Sequence, residues 1–297
     1  MELLLRQLVN ALALGSAYAV FAVGFGLLFA NLGLLNVAMG SVAAAGALAG
    51  HWVMSAAGMP WPAALAAACL AAAVLALLVD RIAFEPLRRR GDASTLAPII
   101  SSIALWIILD ALILIWTDAQ PMYFPLDRLP AGRFEVGGVA VSAVQALMIG
   151  SAVVVTAGLY VFLHRSRFGM AVRAVSHSPR SAMLSGVRPQ SVIVVTTLAA
   201  GAAVGLAGGL VALETNTITL GLGQALFLKG FVAVIIGGYG DVRGAALGGL
   251  LIGVTEVLAG QYVSNDFKEV ISMGLLLLVL LVRPQGLLGT REAAVRA

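Results

Sequence analysis

Apolar residues run along this chain in blocks of roughly twenty, and polar residues collect between the blocks. An α-helix rises about 1.5 Å per residue, so about 20 apolar residues cross a hydrocarbon core of about 30 Å. That ruler predicts spans near 8–29, 38–55, 61–80, 96–116, 143–163, 190–213, 244–262 and 268–283. A further segment, 225–239, is short and Gly-rich; it either spans or is re-entrant, and 36–46 carries the same ambiguity. The pattern predicts an all-α polytopic membrane protein of about eight to nine transmembrane or re-entrant helices, in one transmembrane domain over 1–297.

Composition agrees. Hydrophobic residues make up 61% of the 297 and charged residues 11%, whereas soluble domains carry about a quarter charged. The net charge of +4 sits at the ends of apolar runs, which points to membrane topology and away from a nucleic-acid partner. Membrane lipid is the expected surrounding. Cys69 stands alone inside an apolar run, so no intramolecular disulfide or Cys-based metal site is expected. Ala17-Tyr18-Ala19 resembles a signal-peptidase site. However, Glu2 offsets Arg6 and the apolar pattern continues to Phe29, which predicts an uncleaved first span.

Basic residues orient the spans. Arg81, Arg88, Arg89 and Arg90 share one loop, Arg165, Arg167, Arg173, Arg180 and Arg188 a second, and Arg243, Arg283, Arg291 and Arg296 complete the set. One topology puts all of these on the cytoplasmic side, with the C-terminus. A loop at about 164–190 is then cytoplasmic, and the Pro-rich loop at about 117–142 lies on the opposite side. The 214–224 turn and the 263–267 link share that opposite side. The N-terminus is outside if all nine segments span, and inside if one is re-entrant.

A faint echo links 32–47 ("LGLLNVAMGSVAAAGA") with 220–238 ("LGLGQALFLKGFVAVIIGG"). Each has a turn, then an amide (Asn36, Gln224), then an apolar Gly-containing helix. The topology puts the two turns on opposite faces, as an inverted repeat would, and such repeats set broken helices beside a transport path. Gly201, Gly205 and Gly209, with Gly244/Gly248 and Gly249/Gly253, make close-packing stripes. These serve helix packing within the chain, or a subunit interface or path.

Catalytic patterns are missing. His51, His164 and His177 lack metal-ligand spacing, no phosphate-binding G-x-x-x-x-G-K-[ST] occurs, and no nucleophile motif stands out. The chain is not expected to be an enzyme. Ionisable residues within spans are costly and so are candidates for function. Asp110 is either a carboxylate satisfied near the outer interface or part of a path. Glu256 has the same two readings, and Lys229 is expected to snorkel to the outer surface.

Between two apolar runs lies "RAVSHSPRSAMLSGVRPQ" (173–190). Ser178 suits a helix cap, Pro179 the first helical position, and Gly186 the left-handed residue past the end. Two turns of helix are too short to stand alone in water. With Pro179, Ala182, Met183 and Gly186 on one small apolar side, the segment reads as a docking element for a soluble partner, against the plainer reading of a solvated loop.

This stretch is similar to the cytoplasmic coupling loop of ABC-importer permeases, R-A-x-x-x-(N/S)-x-x-x-A-x-x-x-G-(I/V). Three more stretches resemble the LivH-like permeases of the branched-chain amino acid importer family: 15–47 ("GSAYAVFAVGFGLLFANLGLLNVAMGSVAAAGA"), 227–256 ("FLKGFVAVIIGGYGDVRGAALGGLLIGVTE") and 282–289 ("VRPQGLLG"). Together they reach from about 15 to 289. The sequence departs from the family at Val37 and Met39, where Phe and His are usual. It departs also at Ser178, usually Asn, and at Asp110, usually an amide. The first pair leaves the cargo open.

The resemblance implies a permease subunit paired with a second, LivM-like permease, two ATP-binding subunits and a periplasmic solute-binding protein. No cofactor is implied in this chain, since ATP and Mg belong to the partner subunits. Arg173, Ser178, Ala182, Met183 and Gly186 would couple to the ATPase, whose cover leaves the small side of the helix free. Tyr18, Asn36, Gly40, Gln224 and Glu256 would line or shape the path. The cargo would be a branched-chain amino acid or a related small amphiphile, such as an amide, urea or another amino acid. The alternatives are an ion-coupled transporter or channel using Asp110 or Glu256, and a non-transporting scaffold.

Overall fold

The structure is a computed structural model describing residues 2–32, 35–90, 96–130, 132–136, 139–219, 221–238, 240–264 and 267–289. Arg291, Arg296 and the side chains of Arg89 and Arg90, all used in the orientation argument, lie outside the described residues, as does Leu220.

The chain is an all-α polytopic bundle. In order it forms α1 (Glu2–Leu32), α2 (Met39–Ser55), α3 (Trp61–Val79), a π-helical turn (Asp80–Phe84), α4 (Glu85–Arg90) and α5 (Leu96–Trp116). Then come α6 (Ala143–Arg165), α7 (Arg167–His177), α8 (Pro179–Leu184), α9 (Pro189–Thr215), α10 (Gly221–Gly237), α11 (Val242–Tyr262) and α12 (Lys268–Val282). Among the described residues, six segments are long and apolar enough to cross a membrane: Leu4–Phe29, Trp61–Arg88, α5, α6, α9 and α11. Helices α2 and α10, 17 residues each, and α12, 15 residues, are shorter.

Burial sorts these helices into centre and rim. The apolar stretch of α1 is 78% buried within the protein, and those of α5 and α6 only 11%. An apolar helix with almost no protein cover faces lipid or another subunit. On α5, Ile100, Ile107 and Ile115 stand fully on that side. Helix α1 packs on α11, α9, α6 and α10, and α9 in turn carries α2 and α3.

Small residues set the distances. Gly201 and Gly205 lie against Ala68, Ala72 and Ala76 of α3, and Gly208 against Ala43 of α2. Gly244 and Gly248 meet α10, and Gly249 and Gly253 meet Gly15 and Ala19 of α1. All of these stripes serve packing inside the chain.

The two ends of the bundle differ. At one end Gln7 donates to Gln261, and Gln145 donates to Asn10 and Glu214. Helix α1 therefore begins beside the ends of α9 and α11 and the start of α6. The loop 117–142 closes the same end. Met122 pairs with Ile218, Phe124 N donates to the Asn216 side chain, and Arg128 reaches the Met54 carbonyl. This loop is more ordered than its prolines suggest. It holds an antiparallel hairpin, β1 (Arg133–Val136) with β2 (Val139–Ser142), leading into a capping box in which Ser142 and Gln145 satisfy each other's backbone N–H.

The arginine-bearing turns gather at the other end. Leu287 N and Leu288 N donate to Ile236 O and Gly237 O, so the stretch 282–289 docks on the turn after α10. Arg88 makes a bidentate pair with the buried Asp80, both bonds 2.8 Å, and Arg81 pairs with Glu85 at 2.7 Å. Part of that loop's positive charge is thus neutralised within the π-helical turn.

Candidate functional site

Two helices start inside the bundle instead of at its ends. Ser102 stands six residues into α5 and Asp110 fourteen, about 9 and 21 Å along the axis at ~1.5 Å per residue. The Ser102 hydroxyl accepts from Val37 N at 3.4 Å and lies 3.2 Å from Leu35 O. The Ser41 hydroxyl donates to Asp110 Oδ1 at 2.6 Å. Between those depths the chain at 35–38 is not helical. Irregular backbone is tolerated at membrane depth only where protein or a cavity shields it, and Asn36, Val37 and Ala38 are all buried.

The first turn of α2 meets the first turn of α10. A Cβ on Gly40 would lie 2.6 Å from the Gly223 carbonyl oxygen, and one on Gly223 would lie 2.5 Å from that of Gly40. The echoing turns 32–47 and 220–238 are therefore in contact, not on opposite faces. The chain enters them from opposite ends of the bundle, and backbone packs on backbone where they meet. Asn36 Oδ1 is buried there without a hydrogen-bond partner, an expensive condition for an amide. Gln224, its counterpart in the echo, is exposed. Of the predicted path residues, Asn36 and Gly40 thus share the junction, with Gln224 one residue beyond Gly223.

Tyr18 and Glu256 form a separate cluster. Tyr18 Oη donates to Glu256 Oε2 at 2.9 Å, Lys229 Nζ to Tyr18 Oη at 3.0 Å, and Lys229 Nζ to Glu256 Oε1 at 2.5 Å. Lys268 stands 3.9 Å from the same carboxylate. The ring closes on itself and joins α1, α10 and α11, with α12 at its edge. This corrects the expectation for Lys229: its amine does not snorkel to the surface but turns inward to a buried carboxylate, since pairing costs less than leaving either charge alone in the bundle. Asp110 accepts from Ser41, next to the Gly40–Gly223 contact, an arrangement that suits either of its two readings.

At the arginine end the stretch 173–190 has the caps its sequence predicts. The Ser178 side chain accepts from Ser181 N, Pro179 opens α8, and Gly186 sits at φ +80°. Gly186 N donates to Met183 O and Val187 N to Ala182 O, the paired bonds of a Schellman stop. The predicted free face needs correction, however. Ala182 is 3% exposed, turned inward with Val187 against the protein's own core. The outward residues are Pro179, Met183 and Gly186, with Leu184 at 91% exposure. Leu184 was not singled out by the sequence; its one signal was an apolar residue out of step with Ala182. The Arg173 guanidinium donates to Leu163 O, bracing α7 against the end of α6.

A bundle with apolar helices on its rim, basic turns at one end, and two short helices that begin within it defines a multi-pass membrane permease. The chain matches the family described as "Branched-chain amino acid transport system / permease component" over residues 7–280. It is 32% identical over 300 residues to the high-affinity branched-chain amino acid transport system permease BraD of Pseudomonas aeruginosa, covering 97% of this chain and 96% of that protein. It is 30% identical over 301 residues to the permease LivH of Escherichia coli, with the same coverage. A ribose import permease, RbsC of Bacillus subtilis, is 25% identical over 190 residues, 62% of this chain and 58% of that one. The chain belongs to the branched-chain amino acid permease family.

Proposed function

We propose that this chain is one permease subunit of an ATP-driven, binding-protein-dependent importer in a bacterial inner membrane, carrying a branched-chain amino acid or a closely related amphiphile. The observation that carries the reading is the junction of α2 and α10, with Asn36 buried beside it and one acceptor unmet. Discontinuous helices meeting inside a bundle provide backbone dipoles and a polar side chain at mid-depth, where a zwitterion needs partners. Its α-ammonium would supply the donor that Asn36 Oδ1 lacks.

The remaining assignments follow the family. Cargo arrives from a periplasmic solute-binding protein at the end closed by 117–142. The arginine end, with the C-terminus, faces the cytoplasm. Two ATP-binding subunits, carrying the ATP and Mg, dock there on Met183, Leu184 and Gly186, and a LivM-like permease completes the path. The ion-coupled alternative has lost ground, because both of its carboxylates are engaged, Asp110 by Ser41 and Glu256 by Lys229 and Tyr18.

The test is uptake into proteoliposomes holding this chain with its partner subunits and binding protein, with radiolabelled leucine, amides and urea run in parallel. ATP-dependent accumulation that needs the binding protein is expected. Flux that ignores ATP and follows an ion gradient would overturn the reading.

A further inference from the structure

A cleft opens between α2, α5 and the turn that follows α5, at the end of the bundle away from the arginines. Its volume is about 240 Å³, just below the ~300–1,000 Å³ of drug-sized ligand sites and on the scale of one small solute. The floor is aliphatic and buried: Leu48 of α2 and Ile218, with the half-buried Ile113 of α5. The rim is exposed and polar or open at Gln120, Thr219 and Gly221, whereas Thr117 is buried beside the floor with its hydroxyl donating to Ile113 O. Gly221 is the first residue of α10, two before the Gly223 that packs on Gly40. The cleft therefore leads onto the α2–α10 junction.

One wall is held in an unusual shape. Asp118 and Ala119, at φ +49° and +57°, are consecutive non-glycine residues in the left-handed region. Such a pair persists only where its surroundings enforce it. Here the Met122–Ile218 bridge and the bonds from Ala119 N to Leu114 O and Gln120 N to Thr117 O fix the turn. The wall is built, so the cleft is a preformed space and not a gap between loose loops.

We infer that this cleft is a selectivity pocket for the aliphatic side chain of the transported amino acid, with the polar end of the solute at the exposed rim, a station on the path separate from the Asn36 junction. The inference rests on the importer reading. An aliphatic floor with a polar rim suits a solute having an apolar branch at one end and charge at the other. A small or strongly polar side chain gains nothing from Leu48, Ile113 and Ile218.

The decisive substitution is Gly221→Trp. Gly221 has an ordinary φ, and a Cβ there meets nothing within 4 Å, so an indole fills the cleft without forcing the backbone. Thr219→Trp, on the exposed rim, is the second variant should the first fail to fold. Ile113→Ala enlarges the floor. Uptake of radiolabelled leucine, alanine and phenylalanine is compared in the complete transporter. In either Trp variant the ratio of leucine to alanine uptake falls tenfold or more, the scale on which apolar pockets discriminate. In Ile113→Ala, phenylalanine gains relative to leucine. Wild-type import with both ratios unchanged in folded variants would overturn the pocket and spare the importer. Absence of ATP-dependent uptake of any of the three by the wild type would sink the importer reading, and the pocket with it.

Discussion

Lys229 and Glu256 meet Nζ to Oε1 at 2.5 Å, between α10 and α11 well away from the turn that joins them, and Tyr18 bridges them from α1. Glu256 is 5% exposed. Removing one partner of such a pair strands the other charge, which costs about 3–5 kcal/mol. Lys268 at 3.9 Å softens the loss. Lys229→Met is therefore expected to destabilise the protein by about 3 kcal/mol, the lower end of that range. Lys229→Met with Glu256→Gln should recover most of it. Denaturant titration in detergent measures both. Equal losses in Lys229→Met and the double variant would mean that a stranded Glu256 charge is not what the single variant suffers.

The Gly40–Gly223 contact leaves no room for a methyl group. The opposing atoms are carbonyls of two helices already packed on α1 and α9, so neither retreats cheaply. Overpacking of this sort costs about 1–3 kcal/mol. Gly223→Ala is expected to lower the thermal midpoint and to reduce ATP-driven uptake further than the stability loss alone accounts for. Alanine at Gly158, where a Cβ meets nothing within 4 Å, is the control and should be silent in both assays. Normal uptake by Gly223→Ala would count against a path at this junction.

What the sequence made legible was local. The apolar blocks, Ser178-Pro179 as a start and Gly186 as a stop depend on neighbours a few residues away, and the helices fall where those signals lie. The burial of Ala182 was not legible, because it depends on how α8 lies on the bundle. Nor was the fate of Lys229, whose carboxylate is 27 residues away, or of Asn36. The 38–55 block already predicts a helix starting near Met39, but it leaves open whether 36–46 is re-entrant, and only the contacts with Ser102, Asp110 and Gly223 show that start lying inside the bundle. Hydropathy also cannot separate α1, buried in protein, from α5, bare on most of its surface; both are simply apolar.

Docking of the ATP-binding subunits is tested on the two sides of α8. Leu184 is almost fully exposed and touches little of its own chain, so Leu184→Glu should change stability by no more than about 0.5 kcal/mol. ATP-driven uptake should nonetheless fall at least tenfold, with co-purification of the ATPase weakened. Ala182→Glu puts a carboxylate into the core and should destabilise the fold outright. If Leu184→Glu transports normally, the outward side of α8 is not the contact.

Arg88 and Asp80 supply the last prediction. The Asp80 carboxylate is 3% exposed and accepts two parallel bonds from one guanidinium. A π-helical turn brings them together: it carries the chain from α3 into α4 and turns Arg88 back over a residue eight positions earlier. Arg88→Ala strands the carboxylate and should cost about 3–5 kcal/mol. Arg88→Lys keeps the charge but offers a single point of contact where the fork gave two. It should recover only part of the loss. Thermal melts of the three proteins in detergent rank them. Full rescue by lysine would show that charge alone, and not the paired hydrogen bonds, holds the end of α3 in place.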